Sequence, residues 1–337
     1  MRQMSDSTDA SALAYADLEP EQIISALEEI GYKCDGRFLA LNSYENRVYQ
    51  IGIEDDAPVV AKFYRPARWS DAQIVEEHEF AHELADAELP VVAPLSHEGE
   101  TLLKSGHFRF AVYECRGGRA PELDDYDLQR QLGRFVARIH LIGETKSFAT
   151  RPSIDVESYG TASCDYLMEN ELIPFDLEEA YDSVSAQVLD GIEACLERAG
   201  ATRQLRIHAD FHPGNVLIAR EQIHIVDLDD ARHGPAVQDL WMFLSGDQQE
   251  QSPQLAALLE GYEEFRSFDA RELHLIEALR SLRIMHYAAW LARRWSDPAF
   301  QAAFPWFAGQ RYWDEHILAL REQISLMQES PLEWQPR

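Results

Sequence analysis

Two short polar segments, each entered from an apolar run, constrain this chain more than any other feature. The first is His208-Ala209-Asp210-Phe211-His212-Pro213-Gly214-Asn215, preceded by Leu205 and Ile207. The second is Asp227-Leu228-Asp229-Asp230, preceded by Ile223, Ile225 and Val226. Short apolar runs bounded by polar loops read as buried strands, so carboxylates and an amide sit at the tips of rigid elements. The reading pairs Leu205–Ile207 with Ile223–Asp227.

The residue types at these tips suit phosphoryl transfer. That chemistry needs a carboxylate to take or orient the proton of an attacking hydroxyl. It needs an amide and a second carboxylate to hold Mg²⁺, a lysine for the phosphates, and a glutamate to hold the lysine. The order Asp, Asn, then Asp beyond a hairpin matches a catalytic loop followed by a metal loop. Here these are Asp210, Asn215 and Asp227.

The lysine can be found by elimination. The chain has only Lys33, Lys62, Lys104 and Lys146, and Lys62 alone ends a β-type run, Val59-Val60-Ala61. A chain that otherwise uses arginine keeps a compact point charge there. Its carboxylate partner belongs on the next helix, predicted over 70–86, where Glu76, Glu77 and Glu79 are candidates. Glu77 is favoured, because it shares a helical face with Phe80, Ala81 and Leu84. Neither GxGxxG nor GxxxxGK[ST] occurs. The loop Asn42 to Asn46, on spacing alone an ordinary polar hairpin, would have to cradle phosphates through its backbone N–H groups and the Ser43 hydroxyl.

Organisation follows from the same periodicities. Residues 1–18 are Ser, Asp and Ala rich and are read as a disordered tail. A helix from Glu19 to Ile30, strands near 38–41, 47–53, 59–64, 101–103 and 108–113, and the helix over 70–86 make a small sheet-rich lobe, 19–116. The composition shifts to Gly and Pro in Glu114 to Pro121. Beyond lies a larger, mainly helical lobe, 117–330, with helices over 128–141 and 176–198 and a helical array from Leu255 to about Arg294. The class is α+β.

Composition excludes several functions. Thirty Lys and Arg against 59 Asp and Glu give a net charge of −29. Nucleic acid and anionic membrane surfaces both need clustered cations, so neither is an expected partner. No run of about 18 apolar residues occurs to span a bilayer. The N-terminus has no signal-peptide core, and Cys34, Cys115, Cys164 and Cys195 form no CxxC pair. A cytoplasmic protein is expected. His208 and His212 lie four apart, but Pro213 and Gly214 make that stretch a loop and argue against zinc. Asp239 is read as structural, bonding the catalytic-loop backbone. Leu279, Leu282, Arg283, His286, Ala289, Trp290 and Arg293 run at helical spacing and read mostly as core.

The segments HADFHPGN and IVDLDDAR resemble those of the aminoglycoside phosphotransferase and choline kinase superfamily. LNSYENRVYQ, VVAKFYRPARW, GPAVQDLWM and AAWLARRWSDPAF are similar to the bacterial stress response kinase A (YihE protein kinase) family, over roughly residues 35 to 310. That resemblance implies a bilobal protein-kinase-like fold and ATP-dependent transfer to Ser or Thr of proteins, itself included, in a bacterial stress response. It implies Mg²⁺ as cofactor and a monomer. By motif, Asp210 matches the proton acceptor, Asn215 and Asp227 the metal ligands, and Lys62 and Ser43 the ATP phosphate contacts. Tyr113, Glu114 and Cys115 match the adenine-facing hinge. Asp227-Leu228-Asp229 stands where protein kinases have DFG, and no APE-terminated activation segment occurs. A small-molecule kinase for an amino alcohol, sugar or aminoglycoside, or a nucleotide-binding scaffold without turnover, are the alternatives.

Overall fold

The computed structural model describes Tyr15, residues 17–220 and residues 222–334. The disordered tail read for residues 1–18 lies mostly outside the described residues. Tyr15 is described, and its hydroxyl donates to the Phe63 carbonyl at 3.0 Å. The described chain divides into two compact units.

The first unit runs to Ala120 and includes residues 214–229 and 296–299. Helix α1, Pro20–Glu29, starts on a Glu19–Gln22 capping box. Strands β1 (Cys34–Ala40), β2 (Arg47–Ile53) and β3 (Val59–Phe63) precede helix α2 (Asp71–Asp86). The Ser70 hydroxyl accepts the Gln73 N–H to cap α2. Strands β4 (Leu103–Ser105) and β5 (Phe108–Glu114) complete a sheet of order β1-β2-β3-β5-β4, antiparallel throughout.

Strand alternation decides which way Lys62 points. Ala61 and Phe63 pack with Ile51, Phe110 and Val112 against Ile23 and Leu27 of α1. With a side-chain period of two, Val60, Lys62 and Tyr64 face the other side. There Tyr64 packs with Ile74 of α2 and Ala111. This register pairs Lys62 with Val48 and Ala111.

A two-stranded hairpin, β7 (Val216–Ala219) and β8 (Gln222–Ile225), belongs to this unit. The Ile225 N–H donates to the Pro90 carbonyl at 2.8 Å, and the Val92 N–H to the Ile225 carbonyl at 2.9 Å. This corrects the strand pairing read from sequence. Strand β6 (Leu205–Ile207) pairs instead with β9 (Arg232–Gly234), in the second unit. Strands form within both candidate runs, Leu205–Ile207 and up to Ile225, but runs this short carry too little pattern to name their partners.

The second unit holds residues 121–213, 230–295 and 300–337 and is mainly helical. Its principal helices are α3 (Tyr126–Gly143), α4 (Ala162–Glu169), α5 (Glu178–Ala199) and the short α6 (Gln238–Trp241). They continue as α7 (Gln248–Glu263), α8 (Ile276–Arg293), α9 (Pro298–Ala303) and α10 (Gln310–Leu326). Val188, Ile192, Met285, Leu291, Trp313 and Leu320 form its main core from α5, α8 and α10. Helices α3 and α7 approach through two glycines. A Cβ on Gly133 would lie 2.0 Å from the Leu258 carbonyl oxygen, and one on Gly261 would lie 1.9 Å from that of Arg130. Phe300, Phe304 and Phe307 are buried in that main core, whereas Trp306 is exposed.

Candidate active site

The first unit contains a cavity of about 290 Å³. The β1–β2 loop contributes Leu41, Asn42 and Ser43. Strands β2 and β3 contribute Val48, Val60 and Lys62, and α2 contributes Glu77 and Ala81. Tyr113 and Glu114 end β5 at its rim, while Asn215, Leu217, Val226 and Asp227 come from the β7–β8 hairpin and its flanks. Apolar walls with a few convergent charges are the usual make-up of a small-ligand site.

Lys62 is the electrostatic centre of this cavity. Its ammonium lies 2.9 Å from Asp227 Oδ1 and 3.2 Å from Asp229 Oδ1. Burial pushes the Lys62 pKa down, but the Asp227, Asp229 and Glu77 carboxylates outweigh it and hold the pKa well above the ordinary lysine value. The lysine is therefore charged at neutral pH. Glu77 is 3% exposed and stands on the inward face of α2, as its helical spacing indicates.

The two neighbouring aspartates have different surroundings. The Asp227 side chain is 50% exposed, whereas that of Asp229 is 4% exposed. Asp229 is also ion-paired with Arg68. Two cations thus occupy Asp229, and Asp227 is the carboxylate that opens to the cavity. Asp227 has φ 62°, in the left-handed region that Asp tolerates better than most residues.

The phosphate-loop candidate is held from behind. Asn46 is buried, and its Oδ1 accepts the Arg65 N–H at 3.1 Å. The Arg65 side chain donates to the Glu45 carbonyl at 3.0 Å and to Asp297 Oδ2 at 3.1 Å. A loop without glycines is thereby fixed by a buried arginine. Beneath Lys62, the Tyr64 hydroxyl bonds His78 Nε2 at 2.7 Å and the Tyr113 hydroxyl at 3.0 Å. His78 Nδ1 continues to the Thr101 hydroxyl at 2.8 Å. Sequence reasoning missed this network and the Arg65–Asp297 pair.

Asp210 belongs to the second unit, just beyond β6. The Asp239 carboxylate accepts the His208 and Ala209 backbone N–H groups, each at 2.8 Å. Gln238 Nε2 donates to the Ala209 carbonyl at 2.8 Å. These bonds hold Ala209 at φ 68°, a conformation unfavourable for alanine. Asp239 is in turn 3.1 Å from His140 Nε2, whose Nδ1 meets the Tyr262 hydroxyl at 2.9 Å. The structural role read for Asp239 is seen directly. His140, in the last turn of α3, thus bridges Asp239 and Tyr262.

Asp210 itself meets an arginine and a histidine. Arg283 Nη1 lies 2.6 Å from Oδ1, and His212 Nε2 lies 3.4 Å from Oδ2. Burial raises its pKa, but the His212 hydrogen bond and the Arg283 charge more than compensate, and the pKa ends below the usual value. The carboxylate is ionised at neutral pH and able to take a proton.

Of the residues singled out from sequence, Ser43, Lys62, Glu77, Tyr113, Glu114, Asn215 and Asp227 share the cavity of the first unit. Cys115 follows them along the chain but is not among its lining residues. Asn215 and Asp227 present oxygen donors, and no cluster of three His, Cys, Asp or Glu side chains able to hold a metal occurs among the described residues. Such a pair fits Mg²⁺, which takes one or two protein oxygens and completes its shell with phosphates and water.

A family model described as "Phosphotransferase enzyme family" matches residues 37–276. The chain belongs to that family. Stress response kinase A of Escherichia coli (strain K12) is 44% identical to this phosphotransferase over 326 residues, 97% of this chain and 98% of that protein. A protein of Salmonella typhimurium (strain LT2), named serine/threonine protein kinase RdoA, is also 44% identical, with the same shares covered. Among solved structures, an amicoumacin kinase in complex with AMP-PNP and Ca²⁺ superposes with TM-score 0.72 at 19% identity, covering 98% of this chain and 97% of that one. A microcompartment-associated aminopropanol kinase gives TM-score 0.67 at 17% identity, covering 90% and 96%. These structural likenesses establish the kinase-like α+β fold of the phosphotransferase. No helix among its described residues is long and apolar enough to cross a membrane.

Proposed function

We propose that this phosphotransferase is a Mg·ATP-dependent kinase acting on Ser or Thr of proteins, itself included, as part of a bacterial stress response. The observation that carries the phosphoryl-transfer reading is the buried Lys62, charged and shared by Asp227 and Asp229, in a cavity with Glu77 and Asn215. The protein acceptor is supported by the 44% identity to a relative named as a serine/threonine protein kinase.

In this reading ATP occupies the cavity of the first unit. The backbone at Tyr113, Glu114 and Cys115 faces the adenine. Ser43 and its loop approach the phosphates, Lys62 neutralises them, and Glu77 orients Lys62. Asn215 and Asp227 hold Mg²⁺, which when bound neutralises phosphate charge. The acceptor oxygen attacks the γ-phosphorus, the bond from that phosphorus to the β,γ-bridging oxygen breaks, and ADP leaves. Asp210 takes the hydroxyl proton. Its depressed pKa keeps it in the basic form at neutral pH. The four cysteines are free, as suits a protein of the cytoplasm.

The test is a competition between acceptor classes. Labelled γ-phosphate is offered with Mg²⁺, a generic protein, and a panel of amino alcohols and sugars, followed by phosphoamino-acid analysis. Label on phosphoserine or phosphothreonine is expected. A much larger kcat/KM for one small alcohol, with unlabelled protein, would overturn the protein-acceptor reading.

A further inference from the structure

The second unit carries its own cavity, of about 400 Å³, and one of its lining residues is Arg283. That arginine is the one whose guanidinium lies against Asp210. The cavity therefore adjoins the proposed base through a single side chain. In a protein with net charge −29, the cavity wall offers two arginines, Arg280 and Arg283, and one carboxylate, Glu315.

The pairing of these charges sharpens the point. Glu315 is largely exposed and pairs with the exposed Arg311 at 2.7 Å. Arg280 shares one edge with Glu277 at 3.1 Å and stacks on Trp241, its guanidinium carbon 4.9 Å from the ring centroid. Arg280 Nη2 is buried and has no hydrogen-bond partner among the described residues. His316 Nε2, in the same wall, is likewise buried without a partner. A buried guanidinium N–H left unsatisfied is costly and marks a place where an acceptor atom belongs.

Resting on the protein-kinase reading, we propose that this cavity recognises an acidic peptide. The phosphorylated Ser or Thr is flanked by Asp or Glu, and the flanking carboxylate binds Arg280 and Arg283. Arg283 is half exposed and can turn from Asp210 to the peptide carboxylate. Asp210 Oδ1 is thereby released to receive the hydroxyl as the correct acceptor arrives. With extended chain advancing about 3.3–3.6 Å per residue, the acidic side chain falls within one to three residues of the hydroxyl. Arg283 is a specificity and positioning residue in this scheme, and Arg280 a specificity residue.

The test uses three peptides of equal length that differ only in flanks: Asp/Glu, Ala, or Lys. The kcat and KM of each are measured with the wild type, Arg283→Gln, Arg280→Gln and Arg280→Lys. Retained ATP binding and an unchanged far-ultraviolet circular dichroism spectrum verify folding. The wild type is expected to favour the acidic peptide over the Ala peptide about tenfold, the scale of a charged hydrogen bond. Arg280→Gln should erase most of that ratio through KM, and Arg280→Lys should restore part of it. Equal or better use of the Lys-flanked peptide would overturn the inference and leave the protein-kinase reading standing. Phosphorylation of small alcohols with no peptide labelled would overturn both.

Discussion

The Lys62 ammonium lies 2.9 Å from the Asp227 carboxylate, across 165 residues of sequence. One strand and one hairpin loop thus present opposite charges to the same cavity, with Asp229 closing the pair from beneath at 3.2 Å. Removing the lysine takes away the cation that Asp227 and Asp229 share. Lys62→Met is expected to lower phosphoryl transfer about 10²–10³-fold, the loss typical of one electrostatic contact to developing charge. Lys62→Arg should rescue little, because a planar fork does not fit a point-charge site. Single-turnover transfer and ATP titration of both variants check this, and full activity in Lys62→Met would contradict it.

Asp239 governs the loop that carries Asp210. Its carboxylate accepts two buried backbone N–H groups, those of His208 and Ala209. Asp239→Ala leaves both donors orphaned and is expected to cost about 3 kcal/mol of stability. It should also lower kcat while leaving ATP affinity intact, since Asp239 does not line the first unit's cavity, where ATP is proposed to bind. Denaturant melts and ATP titration of the variant measure the two effects separately.

Much of this site is legible in the sequence, and the reasons are local. Lys62 ends an apolar run, so strand alternation alone turns it away from Ala61 and Phe63. Asp210, Asn215 and Asp227 occur at spacings that one loop and one hairpin impose. What escapes is non-local. His140 meets Asp239 across 99 residues and Tyr262 across 122. Arg65 meets Asp297 across 232. Arg283 sits in a helical stripe whose period marks it as inward-facing but cannot say that it reaches Asp210. Helical and strand periods specify a face, never the partner on the other side of it.

The Arg65–Asp297 pair makes a separable prediction about the phosphate loop. Arg65 is 5% exposed and Asp297 is 6% exposed, so the pair is buried. Asp297→Ala leaves Arg65 with less compensation and should cost about 3 kcal/mol, at the low end for a broken buried pair. The freed Asn42 to Asn46 loop should raise KM for ATP several-fold. Thermal melts with ATP kinetics test it, and an unchanged KM would show that the latch does not serve the loop.

Glu272 gives the second unit a pH dependence. Its carboxylate accepts the Val237 N–H at 2.8 Å, and burial is the main reason its pKa is pushed up to about 7. Because the folded value is raised, the folded state binds the extra proton. The stability it contributes is full below about pH 4.5, declines as pH rises, and is lost above about pH 7. Glu272→Gln mimics the protonated form and keeps an acceptor for Val237. The variant should be more stable than wild type at pH 8, by on the order of 3 kcal/mol, and nearly equal at pH 4.5. Urea melts at the two pH values decide it, and an equal difference at both would contradict it.

Asp210 is the residue on which the whole functional reading turns. The most direct measurement is transfer of labelled γ-phosphate, with Mg²⁺, to a protein acceptor by wild type and Asp210→Ala, with ATP affinity measured in parallel. The expected result is label on Ser or Thr in the wild type and a loss of about 10²–10⁴-fold in the variant, the range for a lost general base. ATP binding should persist, because Asp210 does not line the first unit's cavity, where ATP is proposed to bind. Undiminished labelling by Asp210→Ala would contradict the assignment.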